Sequence, residues 1–227
     1  YKGKRISVLS TGIGTDNIDI VMNELDALAN IDLKARTDKA QHQSLNLIRI
    51  GTSGAVHPDI HAGDTVAAAY SLGLDGLLNF YQTQNELFAP HAAMLFSETV
   101  GINKNWPTPY VVSAHPGLFQ KLAQHFRHGI TLSAPDFYGP QGRQLRVKLA
   151  DPDFNQKIKQ FQYKGYPVTN YEMESSALYG LAAGLGHQAL TVCKIIADRT
   201  NKAYAGDYHQ MMNKLIANVL EGVLKLR

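Results

Sequence analysis

Ile6-Ser7-Val8-Leu9-Ser10-Thr11-Gly12-Ile13-Gly14 decides the fold class, because a short branched run that breaks into small residues and two glycines is how a strand turns into a helix. Ile18, Val21, Met22, Leu25 and Leu28 then recur at helical spacing behind Thr15 or Asp16, either of which can cap the helix. After a polar surface loop over Lys34–Ser44, a second strand is expected at Leu47-Ile48-Arg49-Ile50, ending in Gly51-Thr52-Ser53-Gly54. Further strands are expected over Thr65–Leu72, Pro109–Ser113, Ile130–Ser133 and Leu190–Ile196, and helices over Pro116–Phe126, Tyr171–Ala183 and Tyr208–Leu226. The last helix is a packing helix that keeps Met212, Leu215, Ile216, Val219, Val223 and Leu226 on one face and starts at Gly206-Asp207. Strands alternating with helices specify an α/β fold with a mixed or mostly parallel sheet. No repeat, low-complexity tract or linker divides the chain, so one domain is expected over residues 1–227.

Bulk properties narrow the function. Hydrophobic residues make up 44% and charged residues 18%, which suits a globular core and not a disordered chain. The net charge is only +3, with Lys and Arg scattered, so there is no footprint for nucleic acid or an anionic membrane, whereas a small anion remains compatible. Cys193, the single cysteine, lies in the apolar run Thr191–Ile196 and reads as a small buried thiol. No membrane-length apolar stretch and no signal-peptide h-region is visible, so a cytoplasmic setting is the default. Nine histidines show no metal-ligand spacing, and no metal site is expected. The start at Tyr1, with Lys2-Gly3-Lys4 leading into Ile6–Leu9, reads as a chain whose N-terminal strand region lies outside this sequence.

Four segments carry chemistry. Gly12-Ile13-Gly14 needs a glycine in place of Asn17 to make a dinucleotide fingerprint, so a tight turn is favoured. Arg49 sits between two isoleucines in a strand, where its guanidinium requires an anionic partner. That partner is either a structural carboxylate or a phosphate, which Thr52 and the backbone N–H groups of Gly51–Gly54 can help to hold. Phe137-Tyr138-Gly139-Pro140-Gln141-Gly142-Arg143 joins aromatic rings, a carboxamide and a guanidinium, which suits a flat heterocycle. The edge of uracil matches Gln141 through a ring N–H and a carbonyl, and its other carbonyl matches Arg143. In Thr169-Asn170-Tyr171-Glu172-Met173-Glu174 a capping box pairs Thr169 with Glu172, while Glu174 is free to accept from both hydroxyls of a ribose.

Together with Asp198-Arg199-Thr200, these strings resemble the nucleoside phosphorylases of the uridine phosphorylase type in order and approximate spacing, over nearly the whole chain. The resemblance implies a single-domain three-layer α/β sandwich around a mixed, partly barrel-like sheet. It implies phosphate contacts from Arg49, Thr52 and Gly12, ribose contacts from Glu172, Met173 and Glu174, and base recognition by Phe137, Gln141 and Arg143. Catalysis is thereby assigned to Arg49, Thr52, Glu174 and Arg143. Inorganic phosphate is a co-substrate, no cofactor is implied, and the expected assembly is a dimer-based homo-oligomer, commonly a hexamer, with sites that borrow residues across subunits. Family members also carry an earlier strand with a phosphate-binding glycine and arginine, which this sequence does not contain. Asp198 departs from the pattern too, since uridine-specific relatives often have Asn there. A carboxyl at that position can serve as general acid toward a purine, which keeps purine phosphorolysis as an alternative. A nucleosidase and a catalytically silent nucleoside-binding protein are the remaining alternatives.

Overall fold

The computed structural model describes residues 1–82, 85–201 and 203–226. Its helices are α1 (Thr15–Asn30), α2 (Pro90–Val100), α3 (Pro116–Leu122), α4 (Phe154–Lys157), α5 (Ser175–Gly184) and α6 (Tyr208–Val223). A minimal hairpin, β1 (Ile31–Asp32) with β2 (Thr37–Asp38), follows α1, and its second strand falls inside the Lys34–Ser44 stretch expected to be loop. The main sheet contains β3 (Asn46–Ala55), β4 (Thr65–Gly73), β5 (Tyr110–Ser113), β6 (Arg127–Ser133), β8 (Tyr166–Glu172), β9 (Gln188–Asp198) and β10 (Ala203–Tyr204), and β7 (Gln162–Tyr163) is hairpinned onto β8.

Five strands close on themselves. β9 is parallel to β3, β3 is antiparallel to β8, β8 and β6 are parallel, β6 and β4 are parallel, and β4 returns antiparallel to β9 through Thr65–Ala67 opposite Val192–Lys194. Among the described residues the short β5, β7 and β10 extend beyond this ring. The sheet is therefore mixed and barrel-like, as expected.

Apolar side chains build a core on each side of it. On one side Ile18 and Met22 of α1, Leu118 of α3, Leu215 and Val219 of α6 and nearly all of α5 pack on Ala68, Leu190 and Val192. On the other, Phe96 of α2 and Phe154 of α4 meet Leu72, Ile130, Leu132 and Tyr171. These are three layers with the sheet in the middle. Apolar on every face after its two opening serines, α5 is buried from Ser175 to Ala183, as a helix of that pattern must be. Its Gly180 sits so close to Leu78 that a Cβ there would meet Leu78 Cδ1 at 1.9 Å. Among the described residues no helix is long and apolar enough to cross a membrane.

Three local expectations are corrected. Ile6–Leu9 forms no strand: no described residue ladders with it, Val8 is 90% exposed, and without ladder partners its β-propensity has nothing to act on. The helix expected from Tyr171 starts at Ser175, because Thr169–Glu172 are drawn into β8 by pairing with β3 and β6. Thr169 accordingly donates to the carbonyl of Ile130 (3.2 Å) and caps nothing. Finally, α1 is entered through Gly14 at φ 93° with no side-chain cap, so neither Thr15 nor Asp16 takes that role. Asp207 does cap α6, accepting from Gln210 N at 3.0 Å.

Candidate active site

Most of the predicted site residues fall into two groups, one around Arg49 and one around Gln141, with Gly12, Thr52 and Asp198 outside both. The first surrounds Arg49 on β3. Gly51 leaves room for the guanidinium to fold back along the strand, since a Cβ there would lie 2.6 Å from Arg49 Nη1. Nη1 is 3.0 Å from Glu172 Oε2, Nη2 pairs with Glu174 Oε2, and the Cys193 thiol lies 3.5 Å from Nη1. Two carboxylates thus answer the demand for an anion, although 15% of the Arg49 side chain stays exposed. Burial pulls the Arg49 pKa down, but the Glu172 and Glu174 carboxylates more than offset it and hold the group firmly cationic. Cys193 is buried and free, its thiol pushed up to about 12 chiefly by burial, so it is a neutral packing group.

Glu174 also accepts from Gly14 N at 2.8 Å and from Met173 N at 3.3 Å. Burial first, and the Glu172 charge next, raise its pKa above the ordinary carboxylate value, against the pull of Arg49. Glu172 accepts from Ser133 Oγ and from the N–H groups of Glu174 and Ser175. It therefore serves the start of α5 after all, from the strand before the helix. Ser133 is a member of this group that the sequence did not single out, and Gly14, expected only to make a tight turn, joins it through its backbone N–H. Gly12 stays outside it, in an exposed turn at φ 74° against the Asn17 side chain. Thr52 lies on β3 opposite Lys194 and shares no hydrogen bond with the Arg49 group.

The second group is built on Gln141, which is only 3% exposed. Its side-chain carbonyl accepts from Arg143 Nη1 at 2.6 Å and from Arg199 Nη2, its backbone carbonyl accepts from Arg199 Nη1 at 2.7 Å, and its Nε2 donates to Asp136 O at 3.2 Å. Arg143 also donates to Phe137 O and lies over the Phe137 ring, 3.8 Å from its centroid. Arg199 stacks on Tyr171 at 4.8 Å, and its Nε is buried without a hydrogen-bond partner. Neither guanidinium is paired with a carboxylate among the described residues. Burial and then the neighbouring Arg143 push Arg199 down to about 10, still protonated at neutral pH, and burial also lowers Arg143. In the sequence Arg199 stands out only as part of the Asp198-Arg199-Thr200 string. Its one sequence signal, a cation directly after a long apolar strand, is weaker than that of Arg49, which lies inside a strand.

Beside this group lies a cavity of about 690 Å³ whose walls include Trp106, Pro135, Tyr138, Arg143, Leu149 and Phe154. Arg49, Glu172 and Glu174 do not line it.

Asp198 is a turn cap. Its carboxylate accepts from Thr200 N and Asn201 N, both at 2.9 Å, and from Asn201 Nδ2 at 2.9 Å, and it faces His61 Nδ1 at 3.3 Å. Burial alone raises its pKa, but the hydrogen bonds from Asn201, His61 and Thr200 prevail and hold it below the usual carboxylate value. An anion so saturated is a poor proton donor.

The fold also gathers Asp26, His42 and His187, from three separate segments, with ligand atoms within 4.8 Å of one another. Sequence spacing could not show this. Leu45 N donates to His187 Nδ1 at 3.2 Å, which places the proton of the neutral ring on Nε2, 3.2 Å from Asp26 Oδ1. That tautomer turns Nε2 toward the Asp26 carboxylate.

The model of the phosphorylase superfamily matches residues 1–225. The chain belongs to that family. It is 30% identical over 195 residues to a DeoD-type purine nucleoside phosphorylase of Oceanobacillus iheyensis, which covers 86% of this chain and 65% of the relative. It is 28% identical over 207 residues to a uridine phosphorylase of Thermococcus kodakarensis, covering 90% of this chain and 62% of that one. The chain thus spans somewhat less than two thirds of the length of these two relatives. A crystal structure of a Trypanosoma brucei nucleoside phosphorylase, described as showing uridine phosphorylase activity, superposes with a TM-score of 0.86 at 25% identity, over all of this chain and 82% of that one.

Proposed function

We propose that this phosphorylase-superfamily chain cleaves a pyrimidine nucleoside, uridine foremost, with inorganic phosphate, releasing the free base and ribose 1-phosphate. The observation that carries the choice of base is the carboxylate-free pair of guanidiniums, Arg143 and Arg199, braced on Gln141. Two uncompensated cations suit a base that leaves as an anion with charge on its carbonyl oxygens, and donors fixed before the reaction stabilise that charge most effectively. A purine leaves most readily after protonation, and the ionised, saturated Asp198 does not favour that route.

In this reading phosphate attacks the anomeric carbon while the bond to the base nitrogen breaks, and that bonding pair leaves with the base. Arg49 orients the nucleophile with Thr52, Glu174 holds the sugar hydroxyls, Met173 walls the sugar, and Phe137 packs on the base. Holding the reactants together in that geometry is itself a large part of the acceleration. No cofactor enters. Assembly as a dimer-based homo-oligomer, up to a hexamer, belongs to the same reading; exposed Ile13, Ile20, Leu28 and Phe80 offer surface for it, and sedimentation velocity measures it.

The deciding experiment incubates the protein with uridine, thymidine, inosine and adenosine, each with and without phosphate, and follows the free bases. Phosphate-dependent uracil release is expected. Release of hypoxanthine or adenine in preference overturns the choice of base, and release without phosphate overturns phosphorolysis.

A further inference from the structure

We infer that Glu172 is a positioning residue and not a sugar ligand: oriented by Ser133, it fixes Arg49 and the turn that carries Glu174, and leaves Glu174 as the exchangeable carboxylate. The inference deepens the phosphorolysis reading and rests on it.

Both oxygens of Glu172 are already filled. Oε1 accepts from Ser133 Oγ at 2.5 Å and from Ser175 N at 3.2 Å. Oε2 accepts from Glu174 N at 3.0 Å and Ser175 N at 2.9 Å, and faces Arg49 Nη1 at 3.0 Å. A carboxylate has about four lone-pair directions, so no acceptor capacity remains for a ribose hydroxyl. The side chain is also only 1% exposed.

Glu174, also buried, has fewer donors. Oε1 has a single donor, Gly14 N, and Oε2 is shared between Arg49 Nη2 and the longer contact from Met173 N. If its carboxylate turns to the sugar, Arg49 Nη2 is freed for a phosphate oxygen while Nη1 stays anchored on Glu172. The two carboxylates that neutralise Arg49 therefore have unequal tasks: one is a fixed brace and the other a gate that nucleoside and phosphate open together.

Ser133 sets the brace. Its hydroxyl proton goes to Glu172, and its oxygen accepts from Ser176 N at 2.9 Å, so the rotor is held from both sides. Ser133, Glu172 and the first turn of α5 thus form one hydrogen-bonded unit, whose loss is felt at Arg49 without any contact to the ligand.

Removing a hydroxyl from the substrate separates the two roles. Values of kcat/KM are measured on uridine and 2′-deoxyuridine for wild type, Glu172→Gln, Glu174→Gln, Ser133→Ala and the Ser133→Ala/Glu172→Gln pair, with unfolding temperatures alongside. Glu172→Gln and Ser133→Ala are expected to lower kcat/KM about tenfold or more, as loss of a buried bond to a charged group does. Each is expected to do so by the same factor on both sugars, whereas Glu174→Gln should hurt uridine severalfold more than its deoxy counterpart. The double variant should be no worse than Glu172→Gln alone, because the pair acts as one unit. A Glu172→Gln penalty that fades on 2′-deoxyuridine, or penalties that multiply in the double variant, overturns the inference. If Glu172→Gln does not fold, Ser133→Ala decides by the same equal-factor test. A wild-type protein that turns over neither nucleoside defeats the phosphorolysis reading instead, and inorganic phosphate titrated by calorimetry then decides. Severalfold weaker binding to Ser133→Ala supports the brace, and unchanged or undetectable binding to both proteins overturns it.

Discussion

The Arg199 guanidinium grips Gln141 from two directions, through Nη1 to its backbone carbonyl at 2.7 Å and through Nη2 to its side-chain carbonyl. A planar fork is needed for that double contact, and lysine has none. Arg199→Ala is expected to lower kcat/KM on uridine ~10²-fold, the usual loss for one preorganised donor, and Arg199→Lys to recover little of it. Steady-state kinetics on both variants, with unfolding temperatures as the control for lost packing on Tyr171, checks this.

Arg143 stands opposite on the same carbonyl and needs a separate test of base choice. Arg143→Ala should reduce phosphate-dependent uracil release ~10²-fold while leaving any cleavage of inosine nearly untouched. Equal losses on the two nucleosides would show that the residue shapes the loop and does not read the base.

Gly51→Ala addresses the Arg49 group without altering a charge. The added methyl would lie 2.6 Å from Nη1, so the guanidinium must leave its seat between the two carboxylates. Overpacking of this kind typically destabilises by ~1–3 kcal/mol. A lower unfolding temperature together with a raised KM for phosphate is expected, whereas an unchanged KM would detach Arg49 from the nucleophile.

For Asp198 the pH dependence of stability has a definite sign. Its folded pKa lies below the value in an unfolded chain, about 3.9, so ionised Asp198 stabilises the fold above that pH. The stabilisation is lost as the pH falls through the lower, folded value. The unfolding-temperature gap between wild type and Asp198→Asn should therefore be widest near neutrality and narrow below about pH 4. The same variant should retain uridine turnover; its abolition would restore a proton-donating role and the purine reading with it.

Periodicity exposed most of the frame, because burial imposes a repeat on any element with one wet face: β4, β6, β9 and α6 lie where apolar spacing puts them. It misled at Ile6–Leu9 and at Tyr171. A strand is made by its neighbours, and branched residues without a ladder stay extended and exposed, whereas Thr169–Glu172, despite a helix-start pattern, were claimed by two flanking strands. Site chemistry was legible where a residue contradicted its surroundings, as Arg49 does between isoleucines. Partnership was not legible. Ser133, Gly14 and Arg199 meet their partners across 39, 160 and 58 residues of chain, distances at which local pattern carries no information.

β9 is laddered to β3 along one edge and to β4 along the other. The ring consequently has no open edge, and its narrowest join is β3 to β8, two residue pairs long, so register is fixed mainly by the longer β3–β9 and β4–β6 ladders. The closed frame carries the backbone, and the residues that meet in the Gln141 group hang on its rim, at 136–143 and 198–201. Exchanging a few side chains there can redirect what the cleft holds while the scaffold beneath stays as it is.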